Sequence, residues 1–125
     1  MPVILEAGSP ASLLLVRFSG TLTPGEAAED LARISEESAG YSALLADWRE
    51  AEIALSTIEF MALTDDWFRM PGARLKAAHV FHAERHKDQA MLFQTKGFLV
   101  GGQFRVFAEY GEARSWLDAW TGPRA

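Results

Sequence analysis

The chain has 125 residues, 49% of them hydrophobic and 23% charged, a balance that fits one folded domain over 1–125 and excludes a disordered or membrane-embedded chain. With no cysteine it holds no disulfide framework, thiolate nucleophile or thiolate metal site. A formal net charge of −5 without a dense basic run weighs against a nucleic-acid partner.

The first residues, Met1-Pro2-Val3-Ile4-Leu5-Glu6, carry no basic leader. The early apolar run Leu13 to Val16 is too short for a signal peptide or a spanning helix, so cytoplasmic residence without integral membrane association is expected. Val3 to Glu6 reads as an edge strand and Leu13 to Ser19 as a longer one, with Gly8-Ser9-Pro10 as the turn of an antiparallel pair. In the second strand Leu14, Val16 and Phe18 alternate with Leu13, Leu15, Arg17 and Ser19, so one face is apolar and the other admits charge. Thr23-Pro24-Gly25-Glu26 reads as a capping box with proline at the first helical position, and Ala27, Leu31 and Ile34 form a stripe that ends at Gly40.

Ala43 to Asp47 reads as a buried strand ending at Asp47, followed by a charged loop from Trp48 to Ala54. Ser56-Thr57-Ile58-Glu59 has capping-box spacing and opens a helix to about Arg69, stopped by Met70-Pro71-Gly72. Its apolar arc is wide enough for Met61, Phe68 and Met70 on the flanks to meet something beyond the sheet. Ala77 to His82 is the next strand, and a helix from about Lys87 to Val100 follows with apolar residues all round. Phe104 to Ala108 and Glu112 to Trp120 supply the last strand and helix, and Gly122-Pro123 closes the fold. This order predicts an α/β fold: a five-stranded mixed, mainly parallel sheet with about four helices, mostly on one face. The other face is expected to stay partly open and to carry Arg17, Arg105, Phe107 and His79.

The element order, the Asp47 strand followed by a helix opening at Ser56, and the closing Glu112-Ala113-x-x-Trp116-Leu117 pattern after Val106-Phe107 together resemble the STAS superfamily. The likeness is to its small SpoIIAA-like, anti-sigma-factor-antagonist-like members and spans nearly the whole chain. It implies a regulatory fold in which a partner kinase phosphorylates a serine at the position of Ser56. Leu55 stands where the switch proteins carry aspartate, so the chain departs from their pattern at that residue. The resemblance also implies kinship with members likened to lipid-carrying Sec14-like domains.

Charge is uneven. Residues 1–68 hold three Lys/Arg against twelve Asp/Glu, residues 69–105 seven against two, and residues 106–125 two against three, which predicts an acidic and a basic side. Ser56 is the phospho-acceptor candidate, because a helix N-terminus welcomes a phosphate. Asp47, Ser56 and His82 near the sheet's carboxyl end, with Met61, Phe68, Met91 and Phe98 on the helices, are the ligand- or partner-binding candidates. His79, His82, Glu84 and His86 are of metal-ligand type, but residues 79 and 82 leave opposite faces of a regular strand, so that only His82, Glu84 and His86 could meet, at its carboxyl end, and no metal site is assigned. Ser56 with His82 is the best pair for a weak hydrolase, yet no nucleophile elbow or phosphate loop accompanies it, and no catalytic residue or cofactor is assigned. The reading that results is a non-enzymatic binding or regulatory module for a protein partner or small apolar, lipid-like ligand, with a homodimer as a further form. The phosphorylation-switched regulator and the hydrolase are its alternatives.

Overall fold

A computed structural model describes residues 3–8, 12–70, 75–100 and 103–121, and the side chains of residues 100, 120 and 121 lie outside that description. The alternating residues of the two opening strands pair as their pattern demands: β1 (Val3–Ala7) lies antiparallel to β2 (Leu13–Leu22), with Val3 opposite Phe18 and Ala7 opposite Leu14. Of the expected turn only Gly8 is described, its N–H donating to the Leu13 carbonyl at 2.7 Å. Three further strands, β3 (Ala43–Ile53), β4 (Lys76–Val80) and β5 (Phe104–Phe107), add in parallel, and the five stand in sequential order.

Between them run α1 (Pro24–Glu37, followed by a 3-10 turn over 38–40), α2 (Thr57–Arg69) and α3 (Lys87–Val100), and α4 (Tyr110–Thr121) comes last. Right-handed crossovers between sequential neighbours all fall on one side of a sheet. Accordingly Ala27 and Ile34 of α1, Phe60, Leu63 and Trp67 of α2 and Phe93 of α3 share one core with Leu14, Val16, Leu44 and Ala77. α4, which joins no two strands among the described residues, covers the other face, where Ala113 and Leu117 meet Leu13, Leu45 and Val80. The mainly parallel sheet with helices mostly on one face is as the alternating pattern predicts.

Two boundaries differ in ways that matter. β2 reaches Leu22 rather than Ser19, and β3 reaches Ile53 rather than Asp47, so most of the stretch read as a charged loop is strand. The register between them slips by one: Arg17 faces Asp47 but Ser19 faces Glu50. This β-bulge at Trp48-Arg49 sets two residues against one and reverses the alternation beyond it. Ala51 and Ile53 therefore join the core while Glu50 and Glu52 face solvent. Past Asp47, β3 has outrun β4, and side chains of the turn after β4 cover its bare edge: Arg85 Nη2 donates to the Arg49 carbonyl at 2.6 Å, and His86 Nε2 bonds the Ala51 carbonyl at 2.8 Å.

The core is built on Trp48. Its ring is fully buried and stacks on Phe18 at 4.0 Å and on Phe81 at 5.3 Å, with Trp67 and Phe93 tilted around it. Gly97 of α3 lets Phe104 reach this cluster, since a Cβ at 97 would fall inside the Phe104 ring. Helix propensity alone favours alanine over glycine by about 1 kcal/mol. Gly97→Ala is nevertheless expected to destabilise by about 3 kcal/mol in urea titration, because the ring must be displaced. Adding Phe104→Leu should recover part of the loss, whereas a stabilised Gly97→Ala protein would show that the close approach does not exist.

Candidate functional site

α2 is held at its start by the predicted box: the Ser56 hydroxyl accepts from Glu59 N–H at 3.1 Å, and the Glu59 carboxylate accepts from Ser56 N–H at 2.8 Å. At the head of α1 the arrangement is only half of that, for Thr23 Oγ1 accepts from Glu26 N–H at 3.4 Å while the Glu26 carboxylate meets the Thr23 hydroxyl instead of its N–H. Ser56 is exposed, so its hydroxyl stands at the surface on the positive end of a 13-residue helix.

The two helices beyond Ser56 carry more apolar surface than the core can take. α2 turns Phe60, Leu63 and Trp67 inward, and Thr64 joins them because its hydroxyl donates to the Phe60 carbonyl at 2.6 Å. Ile58 and Met61 are left outside, 79% and 48% exposed. α3 commits Phe93 to the core and leaves Met91, Phe98 and Leu99 in solvent at 63%, 83% and 73% exposure. Between the helices lies a groove of about 170 Å³ floored by Met61, Thr64, Leu92, Thr95 and Leu99, with the Lys96–Asp65 ion pair across it. A second groove of about 170 Å³ separates α2 from α1 and is lined by Ala28, Leu31, Leu55, Ala62 and Leu63. α2 thus stands between two shallow apolar channels with Ser56 at its head.

The predicted residues distribute unevenly over this surface. Met61 lines the groove, and Met91 and Phe98 lie exposed on α3. Phe68 does not belong: it is half-buried and packs against Phe93 and Phe104, each at 5.3 Å, and Met70 is buried too. A helix flank beside α3 is an internal position, which periodicity along one helix cannot reveal. Ile58 and Leu99 were missed. The signal for Leu99 was the all-round apolar pattern of its helix, which implies that some apolar residues must remain outside.

Asp47 is not at a strand end and does not join Ser56. It lies mid-strand on the opposite face of the sheet, where Oδ1 accepts from Arg49 N–H and Nε at 3.1 and 2.9 Å and Oδ2 from Nη2 at 2.8 Å. Six further strand residues separate it from the Ala54–Leu55–Ser56 connection.

The histidines are structural in their contacts. His79, expected on the open face, is fully buried on the helix-covered one, because its neighbours Ala78 and Val80 take the α4 side. Its Nδ1 accepts from Trp48 Nε1–H at 3.3 Å, its Nε2 finds no partner among the described residues, and burial pushes its pKa down to about 3. β4 ends at Val80, so strand parity does not govern His82. His82 Nδ1 accepts from the N–H groups of Glu84 and Arg85 at 3.2 and 3.1 Å. His86 accepts from His82 N–H at 3.1 Å and reaches Ala51 with its other nitrogen; burial is the main cause that lowers its pKa. No group of three metal-ligand side chains converges among the described residues. On α1, Asp30 is buried with neither carboxylate oxygen hydrogen-bonded among the described residues, and desolvation raises its pKa to about 6 against the attraction of Arg33.

No helix among the described residues is long and apolar enough to cross a membrane. No family model and no curated protein matches the chain. Among solved structures, the crystal structure of an anti-sigma factor antagonist from Mycobacterium paratuberculosis is similar with a TM-score of 0.63 at 14% identity, over 90% of each chain. The chain thus has the fold of an anti-sigma factor antagonist, as the element order led one to expect.

Proposed function

We propose that this chain is a non-enzymatic regulatory module that binds a protein partner across α2 and α3, the partner being an anti-sigma-factor-type regulator. One observation carries the reading: of the six large apolar side chains exposed among the described residues, Ile58, Met61, Met91, Phe98 and Leu99 all lie on these two helices. Solvent-facing apolar residues scattered singly need no explanation, whereas a concentration on one surface marks contact with another molecule. The similar structure supports it, since an antagonist of an anti-sigma factor is defined by a protein target. A lipid-like ligand fits less well, because grooves of about 170 Å³ each fall far short of the roughly 300 to 1,000 Å³ of pockets that bury ligands of drug size or larger. Hydrolase chemistry is disfavoured as well. The Ser56 hydroxyl oxygen already accepts from Glu59 N–H, and the Nδ1 lone pair of His82, which a base would use, is taken by the N–H groups of Glu84 and Arg85.

The test is titration calorimetry with purified anti-sigma factors from the same organism. Met61→Glu combined with Leu99→Glu is expected to weaken binding by about a hundredfold, the equivalent of roughly 2.7 kcal/mol for two apolar contacts replaced by buried charge. Both side chains are exposed, so the circular dichroism and melting of the variant should match the parent. Undiminished affinity, or no binding by the parent chain, would remove the proposal.

A phosphorylation switch at Ser56 is the second reading, favoured by the exposed hydroxyl at the head of α2. Glu59 complicates it, because a phosphate on Ser56 would face the carboxylate already bonded to the Ser56 N–H. Ser56→Ala is expected to lower stability by about 1 kcal/mol and Ser56→Asp by much less, since aspartate also caps. If partner binding is the same for Ser56, the alanine and the aspartate variants, the residue is a cap alone.

A further inference from the structure

We propose that the open side of the sheet holds a binding site for a small zwitterion of amino-acid size, separate from the α2–α3 surface. α4 covers β3 to β5 and the start of β2 on that side and leaves β2 bare from Arg17 onward, and a cleft of about 280 Å³ lies where its first residue, Tyr110, meets the bulge of β3. Leu15 and Leu45 form an apolar floor, while Arg17, Asp47, Arg49 and Glu50 supply two positive and two negative groups around it.

The bulge makes this convergence. A regular strand would alternate 47 and 49 with 48 and 50, but the extra residue turns Asp47, Arg49 and Glu50 all to the cleft while Trp48 and Ala51 go to the core. Arg49 is also fixed in place: it is tied to Asp47 through Nε and Nη2 and lies over the Tyr110 ring at 5.4 Å, which leaves Nη1 without a hydrogen bond among the described residues. Arg17, one strand away, has a single pairing with Glu6 at 3.4 Å and stays half exposed. Such an ion pair on a sheet face adds little to stability by itself.

The charge layout selects the ligand. A simple anion would satisfy Arg17 and Arg49 but bring its charge against Glu50, and a simple cation would do the reverse. A molecule bearing carboxylate and ammonium on one carbon satisfies both, with its side chain on Leu15 and Leu45 and Tyr110 closing one wall.

Amide NMR of the full chain tests this with the protein amino acids added one at a time, followed by the carboxylate-only and amine-only analogues of the best binder. Signals of residues 15–17, 45–50 and 110 are expected to shift, and each analogue should bind about tenfold more weakly than the amino acid, as for one lost charge-assisted hydrogen bond. Arg17→Ala should weaken binding by a similar factor, and Glu50→Gln should bring the amino acid down to the level of its carboxylate-only analogue. No shifts at these residues with any amino acid, or an analogue that binds as well as its parent, would overturn the proposal. Neither result bears on partner binding by α2 and α3.

Discussion

Trp48→Ala is expected to lower unfolding stability by about 4 to 5 kcal/mol, the top of the range for deleting a buried aromatic ring. Small domains have roughly 5 to 15 kcal/mol in all, so the variant should sit near its unfolding midpoint at room temperature. The size of the effect follows from three losses at once. Removing the indole leaves a cavity between Phe18 and Phe81, takes the one hydrogen bond that the His79 side chain makes among the described residues, and deletes the inward anchor of the β3 bulge. Trp48→Phe keeps the stack and should cost less than half as much. Urea titration followed by far-ultraviolet circular dichroism decides it, and an alanine variant within about 1 kcal/mol of the parent would show that the ring is not the centre of the core.

Acid should destabilise this protein through His79, with Asp30 acting in the opposite direction. The ordinary histidine value of 6.5 is pushed down to about 3 in the fold, so between those limits the unfolded chain holds a proton that the folded chain refuses. Stability from His79 is therefore complete above pH 6.5 and drains away as pH falls toward 3, by about 1.4 kcal/mol per pH unit. His86, also lowered, adds to the drain. Asp30 is raised from 3.8 to about 6, so over that window the folded chain takes up a proton that the unfolded chain lacks, and stability recovers as pH falls. The parent protein should thus show a muted slope from pH 6 to 4 and a steeper one below. Asp30→Asn should uncover the full slope from pH 6.5 downward, and His79→Gln, which keeps an acceptor for Trp48, should remove most of it. Parallel curves for parent and His79→Gln would rule out the assignment.

What could be read without coordinates follows from which patterns survive intact. The box at Ser56, the alternation in β2 and the strand-helix order depend on neighbours within a few residues and appear as expected, while at Thr23 only the side-chain half of the expected box forms. The far half of β3 did not, because the bulge at Trp48-Arg49 breaks the two-residue period, and Glu50-Ala51-Glu52-Ile53 regains it only in a new phase. That error placed Asp47 at a strand tip and joined it to Ser56, when the two belong to different sides of the molecule. His79 was misplaced for a related reason: β4 is apolar on both faces, so nothing in Ala77-Ala78-His79-Val80 says which face is which. The apolar surplus of α2 and α3 was legible in amount, but not in which residues it would leave outside. The cleft on the other face was invisible, since it needs the bulge, the late helix and the bare strand together.

The cover that Arg85 and His86 place over the end of β3 bears on how safely this protein can be concentrated. An extended segment with unspent carbonyls is a template on which a second chain can lay down its own backbone. Here two side chains take the acceptors at Arg49 and Ala51 that a foreign strand would seek. Truncating both should leave the monomer folded yet ready to zip to its neighbours, so that light scattering, and not loss of helix, is where the damage first registers.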